Sequence, residues 1–231
     1  MALAITNRVA NGQDADATSF NFSVAAPSSN CWLIVDVVAR RGAGPITPTV
    51  SGGSLTYNQE AVVTSSTNDR LTRFTAWVGT SPGAYTLTVD FAGNTMIYCH
   101  CHVNEITGGD TSDIFVNSNS LTATGASTTA SVTLNAFGST DNRPLLAVQI
   151  NGNKDVVPEG GHTQIAESVN DATFVRLYTG WHDTSADTTP SATWTGSETY
   201  TAIASEIKVA VTTKPGVIYI SNQAVQRASR W

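Results

Sequence analysis

Apolar and polar side chains alternate with a period of two along most of this chain, and the alternation predicts β-strands. Residues 18–24 and 85–91 both follow it. Successive side chains point to opposite faces of a strand, so such segments bury one face and leave the other polar. Cys31–Val38 is apolar at nearly every position, which predicts a central strand covered on both faces. No segment has the pattern of a three-turn helix, and the sequence therefore predicts an all-β fold.

The order of strand-like segments in the first half of the chain returns in the second half. The first series ends at Glu105-Ile106 and the second at Glu206-Ile207, while Arg73 and Arg176 form a similarly spaced pair. These segments and the turn signals between them predict a β-sandwich or jelly-roll of about twelve strands in two six-strand halves. A duplicated sequence and a shared sandwich architecture both explain the repeat. One domain of two sheets and two adjacent small sandwiches both accommodate it.

The same pattern divides the chain into three parts. The predicted parts are an N-terminal segment (1–17), the β-sandwich (18–208, with halves 18–108 and 127–208) and a C-terminal arm (209–231). Thr107–Ala126 is polar and rich in glycine, which favours a long crossover between sheets.

Formal charge separates the body of the chain from its end. Residues 1–206 carry a formal charge of −10, whereas Ile207–Trp231 has four cations and no acid. Nucleic-acid binding requires a basic surface that neutralises phosphates, so the acidic body predicts no nucleic-acid partner. The basic end favours docking on an acidic neighbour. A solvated terminus is the alternative.

The arm contains a short apolar run after the breaker Lys214-Pro215-Gly216. Four consecutive β-forming residues are prone to aggregate when exposed, so we expect the run to be covered. It either pairs with its own sandwich or is donated as a strand to a neighbour. The predicted partner-binding residues are this run and three anchor-type residues near the terminus: Val217, Ile218, Tyr219, Ile220, Arg227, Arg230 and Trp231.

His100 and His102 form the strongest candidate for chemistry. On a strand both imidazoles point the same way, and a third ligand from a neighbouring strand would complete a transition-metal site. Their spacing resembles the metal motif of cupins, but Glu105 follows too soon and falls on the opposite face. The preferred interpretation is a polar outer face on a strand whose inner face carries Cys99 and Cys101. We expect no bound metal or other cofactor.

Other candidate residues have simpler explanations. A glycosidase requires a pair of carboxylates, and Glu105 and Glu206 lie at matching strand ends. Repeated architecture also explains their positions. Trp181 and Trp194 would stack on sugar rings in a carbohydrate-binding module. The odd cysteine count and the absence of zinc-site spacing predict buried free thiols.

The sequence also carries an expectation about location. The N-terminal residues lack a basic segment followed by a long apolar stretch, which predicts no secretory signal. No window approaches the ~20 apolar residues of a membrane span. We therefore expect a protein made in a cytoplasm, with no membrane partner.

A further set of segments carries a family resemblance. They are Trp32–Val38, Thr49–Gly53, Arg73–Trp77, Val103–Gly108 and Ser131–Leu134 with Asp141-Asn142. In their order, residues 18–208 resemble β-sandwich structural proteins of tailed bacteriophages, whereas the chain from Val209 onward lies outside the resemblance. It implies a non-enzymatic, homo-oligomeric virion protein, made in the host cytoplasm, that contacts neighbouring capsid or tail subunits. The first expectation is a capsid decoration (cement) protein. The second is a tail or fibre component or a carbohydrate-binding module, and the third is a cupin-like metal enzyme.

Overall fold

The computed structural model describes residues 3–170 and 174–210, apart from the side chains of residues 117–120 and 170. Every regular element in these ranges is a β-strand, which confirms the predicted all-β fold. The described residues form fourteen strands, more than the sequence predicts. In chain order the strands are β1 (Ala4–Gln13), β2 (Ser19–Val24), β3 (Cys31–Arg40), β4 (Thr49–Ser51), β5 (Asn58–Thr64), β6 (Asp69–Val78), β7 (Tyr85–Asp90), β8 (Tyr98–Thr107), β9 (Phe115–Ser131), β10 (Arg143–Ile150), β11 (Val157–Pro158), β12 (Thr163–Asn170), β13 (Val175–Trp181) and β14 (Ser191–Ile207).

The strands form three antiparallel sheets. A five-stranded sheet in the order β1-β8-β3-β6-β5 and a three-stranded sheet in the order β2-β7-β4 make up the first half of the chain. The second half forms a sheet in the order β11-β14-β10-β13-β12, with β9 paired to β14. We call the contact between the five-stranded sheet and the sheet of the second half the junction.

Strand β3 of the five-stranded sheet is buried on both faces, as its apolar composition predicts. Leu33 and Val35 pack toward the three-stranded sheet, in one core with Phe20 of β2. The intervening Ile34 and Val38 pack on the opposite side, in the two apolar clusters of the junction. The result is a layered β-structure in which β3 lies near the centre.

The second half repeats the strand order of the first because β9 and β14 bend. Their pairing shifts register between Thr193 and Glu198, and Gly196 there has a φ of 82°, a backbone conformation that glycine adopts without steric cost. Beyond the bend these strands and β11 cover the outer face of their own sheet, around the buried Trp194. The bend divides β9 and β14 into two segments each. One pair of segments gives the order β9-β14-β10-β13-β12, which matches the five-stranded sheet of the first half. The other pair gives the order β9-β14-β11, which matches the three-stranded sheet.

The structure changes the predicted correspondence between arginines. Arg70 of β6 lies opposite Thr64 of β5, and Arg176 of β13 lies opposite Val169 of β12, so these two arginines are equivalent. Arg73 is three residues farther along β6 and therefore faces the other side of its sheet. The pairing of Arg73 with Arg176 inferred from sequence spacing is wrong, because spacing alone does not show which face a residue occupies.

The two halves pack on each other reciprocally. At the junction β1 of the first half contacts β12 of the second, and β5 of the first half contacts β9 of the second. Since β1 corresponds to β9 and β5 to β12, each half presents the same surface to the other. This is the pattern of a two-fold symmetric dimer interface, realised within one chain.

Two predicted boundaries lie elsewhere in the structure. β1 begins at Ala4 and pairs with β8 along its length, so the segment 1–17 contributes the first strand of the five-stranded sheet. β9 begins at Phe115, so only a short linker, and not a crossover extending to Ala126, joins the halves. At the other end, strand β14 ends at Ile207, close to the predicted limit of the sandwich.

Candidate functional site

A buried ion pair lies at the junction. Asp36 of β3 and Arg73 of β6 are opposite each other in register, and both side chains are fully buried. Nε of Arg73 donates to Oδ1 of Asp36 at 2.7 Å, and Nη2 donates to Oδ2 at 3.1 Å. A bidentate pair of this kind is stronger and more directional than a neutral hydrogen bond.

Arg73 also bonds to the second half of the chain. Its Nη1 donates to the carbonyl oxygen of Leu145 at 3.2 Å and to Oγ of Ser205 at 2.9 Å. The guanidinium carbon lies 5.7 Å from the centre of the Phe115 ring, within the range of a cation–π contact. Arg73 of the first half therefore contacts three residues of the second half.

The strand β8 places His100 and His102 on one face, and that face is buried in the junction. Nδ1 of His100 and Nε2 of His102 lie 2.9 and 3.0 Å from the Oγ atom of Ser168 in β12. Nδ1 of His102 lies 3.2 Å from Oγ1 of Thr179 in β13. The predicted polar outer face is wrong, because the second half of the chain covers it.

Burial keeps these histidines neutral. It lowers the pKa of His100 to about 4, and burial together with the neighbouring His100 lowers the pKa of His102 to about 3. The single hydroxyl of Ser168 serves both rings, so it donates to one and accepts from the other. Residues 3–170 and 174–210 contain no group of three His, Cys, Asp or Glu side chains placed to hold a metal ion.

The three cysteines lie in the apolar core of the first half, away from the junction. Cys31, Cys99 and Cys101 are free and buried, which confirms the predicted thiols. Burial, followed by the negative charge of Glu105, raises the pKa of Cys31 to about 12, and burial also raises the pKa of Cys99 and Cys101.

We expect all three thiols to be inert toward a disulfide reagent such as dithiobis(nitrobenzoate) in the native protein, because the reacting species is the exposed thiolate. In guanidinium chloride all three should react within minutes. The release of thionitrobenzoate at 412 nm measures both states. Rapid reaction of even one thiol in the folded protein would contradict this picture.

The two glutamates at equivalent strand ends have equivalent structural roles. Oε2 of Glu105 accepts a hydrogen bond from the backbone N–H of Ser28 at 2.8 Å, in the loop before β3. Oε1 of Glu206 accepts from the backbone N–H of Gly138 at 2.9 Å and from Nδ2 of Asn142 at 2.6 Å, in the loop before β10. Each carboxylate thus fixes the corresponding loop of its own half, which supports the explanation by repeated architecture.

The chain after β14 runs along the linker between the halves. The backbone N–H of Ala210 donates to the carbonyl of Gly108 at 3.1 Å, and Val209 forms an antiparallel bridge with Gly109. The backbone N–H of Val209 donates to Oδ1 of Asn142 at 3.1 Å. The last described residues are therefore anchored to the linker and to the second half, at the junction.

A cavity of about 450 Å³ opens beside this anchored segment. Its walls include Asp141 and Asn142 from the loop before β10 and residues 208–210 from the end of the chain. Nearby, Nζ of Lys208 lies 3.4 Å from Oδ2 of Asp110, whose pKa is lowered to about 2, chiefly by the hydrogen bond from the Ser112 side chain. The anchored segment and this cavity, which we call the chain exit, form the candidate functional site.

The predicted partner-binding residues begin beyond the chain exit. Val217, Ile218, Tyr219, Ile220, Arg227, Arg230 and Trp231 all lie outside the described residues. The structure thus describes where the arm begins, and the interaction assigned to it stays a prediction.

The tryptophans proposed for sugar stacking are not exposed platforms. Trp194 is buried in the core of the second half, which makes its predicted role wrong. Trp181 is half-buried against the apolar part of the junction.

The sequence did not reveal the junction as a site of interaction. Its polar residues alternate with apolar ones along β6 and β8, as residues on a solvent-facing surface do. One signal was available: Asp36 is the only charged residue between Cys31 and Ala39, and a charge in such an apolar strand requires a buried partner.

Comparison of the chain with protein-family models, with curated proteins and with solved structures finds no match. Within the described ranges, no helix has the length and apolar character that a membrane crossing requires.

Proposed function

We propose that this chain is a non-enzymatic virion structural protein of a tailed bacteriophage, and more narrowly a capsid decoration protein. It binds neighbouring virion proteins through the part of the C-terminal arm that follows Ala210 (residues 211–231) and stabilises the head by the free energy of these contacts. Many modest contacts repeated by the symmetry of a shell resist internal pressure without any chemical step. The protein acts in the virion after synthesis in the host cytoplasm.

The observation that carries the proposal is the anchored chain exit. A force on the arm is transmitted to residues 208–210, whose hydrogen bonds reach both the linker and the loop before β10. The body to which they are attached is coupled across the junction by Arg73. An arm attached in this way loads both halves together, which suits a protein that holds subunits in place.

The charge distribution gives the arm its partner chemistry. The cations Lys214, Arg227 and Arg230 flank an apolar run on a segment without acids. Such a segment favours an acidic protein surface with an apolar centre, because opposite charge guides the encounter and apolar burial holds the complex.

The double substitution Arg227→Glu with Arg230→Glu tests the role of the arm in the full chain. We expect binding to purified virions that lack the protein to weaken at least tenfold, because both cations then repel an acidic partner. Co-sedimentation with the particles measures binding. The matched control is Arg41→Glu with Lys154→Glu, which makes the same charge change on the body.

Binding that is equally weak in both variants would show that net charge alone governs attachment, and the arm assignment would fail. Normal binding by the arm variant would also refute it. A tail or fibre component is the second candidate, and gold-labelled antibody on intact particles separates head from tail.

A further inference from the structure

Two equivalent turns in the halves carry different residues at the same left-handed backbone position. The turn between β5 and β6 has Asn68 at a φ of 67°, and the turn between β12 and β13 has Phe174 at a φ of 52°. Asparagine tolerates this left-handed conformation, whereas a bulky aromatic residue rarely adopts it. Strain retained at an exposed position indicates a function for the residue itself.

The turn of the first half is closed by its own polar groups. The backbone N–H of Ser65 donates to the carbonyl of Asp69 at 2.8 Å, and Oγ of Ser65 donates to the Asp69 carboxylate at 3.1 Å. The hydroxyl of Thr67 donates to the same carboxylate. This turn presents no large apolar side chain.

The turn of the second half presents apolar surface instead. Phe174 is 58% exposed, and Val169 of β12, opposite Arg176, is 43% exposed. The residue equivalent to Val169 in the first half is Thr64, opposite Arg70. At both positions a polar residue of the first half is replaced by an exposed apolar one in the second.

A third apolar side chain joins this region. Val157 of β11 is 54% exposed, and the adjacent Val156 donates its backbone N–H to Oε1 of Glu167 in β12 at 3.3 Å. Arg176 contacts Glu167 and the exposed Asp155, each at 3.0 Å. We call Val157, Val169 and Phe174, with the Arg176–Glu167–Asp155 cluster, the hairpin-tip patch.

The hairpin-tip patch holds three of the five exposed large apolar side chains among the described residues. Exposed apolar and aromatic side chains beside an arginine are typical of the centre of a protein interface, and carboxylates are typical of its polar rim. The patch therefore has the composition of a docking surface.

We propose that the hairpin-tip patch receives residues 211–231 of a second copy of this chain, an inference that rests on the proposed function of the arm. The run Val217–Ile220 supplies the apolar side chains, and the cations of the arm face Asp155 and Glu167. Twenty-one residues follow Ala210, enough for an extended reach of about 70 Å. The occupant thus has the right chemistry and the right length.

The positions of the two surfaces allow contact between copies. β10 pairs with β14 from Arg143 opposite Ile207 to Ile150 opposite Tyr200, and Ile150 also lies opposite Arg176. The chain exit follows Ile207, so it lies at one end of this sheet and the patch lies at the other. A displacement along the strand direction brings the exit of one copy to the patch of the next, which gives head-to-tail association.

Two full-length variants with complementary defects test the proposal. The patch variant, Val169→Thr with Phe174→Asn, carries the residues that the first half has at these positions. The arm variant, Val217→Asp with Ile220→Asp, leaves the patch intact. Sedimentation velocity over a range of concentrations measures the association of each variant and of their equimolar mixture.

We expect the wild-type chain to form species larger than a dimer as concentration rises, and each variant alone to stay monomeric. The mixture should form a dimer and stop there, because one intact arm meets one intact patch. A control variant, Val62→Thr with Ile97→Thr, removes exposed apolar side chains outside the patch and should associate like the wild type. The patch variant should melt at the same temperature as the wild type or higher, because asparagine relieves the strained turn.

Each contrary result has a distinct meaning. Self-association of the arm variant would indicate patch-to-patch contact and would overturn the inference. Self-association of the patch variant, with a monomeric arm variant, would overturn the inference while leaving the proposed arm function intact. A wild-type chain that stays monomeric at all concentrations would also overturn it, whereas failure of the arm to bind virions is detected separately by co-sedimentation.

Discussion

Replacing Arg73 with methionine is expected to lower the free energy of unfolding by about 3–5 kcal/mol. Methionine removes the guanidinium but leaves the Asp36 carboxylate fully buried between the halves without its cation. Leu145 and Ser205 also lose their donor across the junction. An uncompensated buried charge accounts for most of the loss, and urea unfolding followed by tryptophan fluorescence measures it.

A second substitution separates the loss of the ion pair from a general packing defect. Adding Asp36→Leu to the methionine variant removes the orphaned carboxylate and should restore most of the lost stability, since an apolar pair fills the same space. The control is Arg176→Met, which breaks ion pairs to the exposed Asp155 and the partly buried Glu167 and should cost less than the loss at Arg73, because water reaches both carboxylates. If the single and double variants at Arg73 are equally unstable, the carboxylate is not the cause.

Period-two patterns predicted the strands well because they depend on local burial. β2 and β7 bury one face and alternate, and β3 buries both faces and is continuously apolar, so sequence and structure agree there. The repeated Glu-Ile ends of β8 and β14 likewise reflect a shared local task, since each glutamate holds the loop before a neighbouring strand. Features that depend only on local burial and local contacts can be predicted from short stretches of sequence.

The junction was not predictable in the same way because its partners are far apart in the chain. His100 and His102 alternate with cysteines as polar residues on a solvent-facing strand do, yet Ser168 and Thr179, more than sixty residues later, cover them. Only the packing of one half on the other decides that this face is buried. The bend in β14 was not predictable either, because a single glycine such as Gly196 in a polar strand does not by itself indicate a bend.

Acidification is expected to destabilise the protein through these two histidines. In the unfolded chain a histidine has a pKa near 6.5, whereas in the folded protein the pKa is about 4 for His100 and about 3 for His102. Below pH 6.5 the two histidines therefore bind protons in the unfolded state and stay neutral in the folded state. Their contribution to stability is complete above pH 6.5 and is lost as the pH falls toward the folded values, by on the order of 5 kcal/mol at pH 4.5 for the pair.

The variant His100→Gln with His102→Gln isolates this contribution, because glutamine forms hydrogen bonds but does not titrate. Its stability relative to the wild type, from urea unfolding at pH 8, 6.5, 5.5 and 4.5, should improve steadily as the pH falls, whatever the difference between the two proteins at pH 8. Carboxylates and the other histidines titrate in both proteins and cancel in this comparison. Parallel stability curves would show that the junction accepts protons without opening, and the burial of the two rings would then not control the acid stability of the fold.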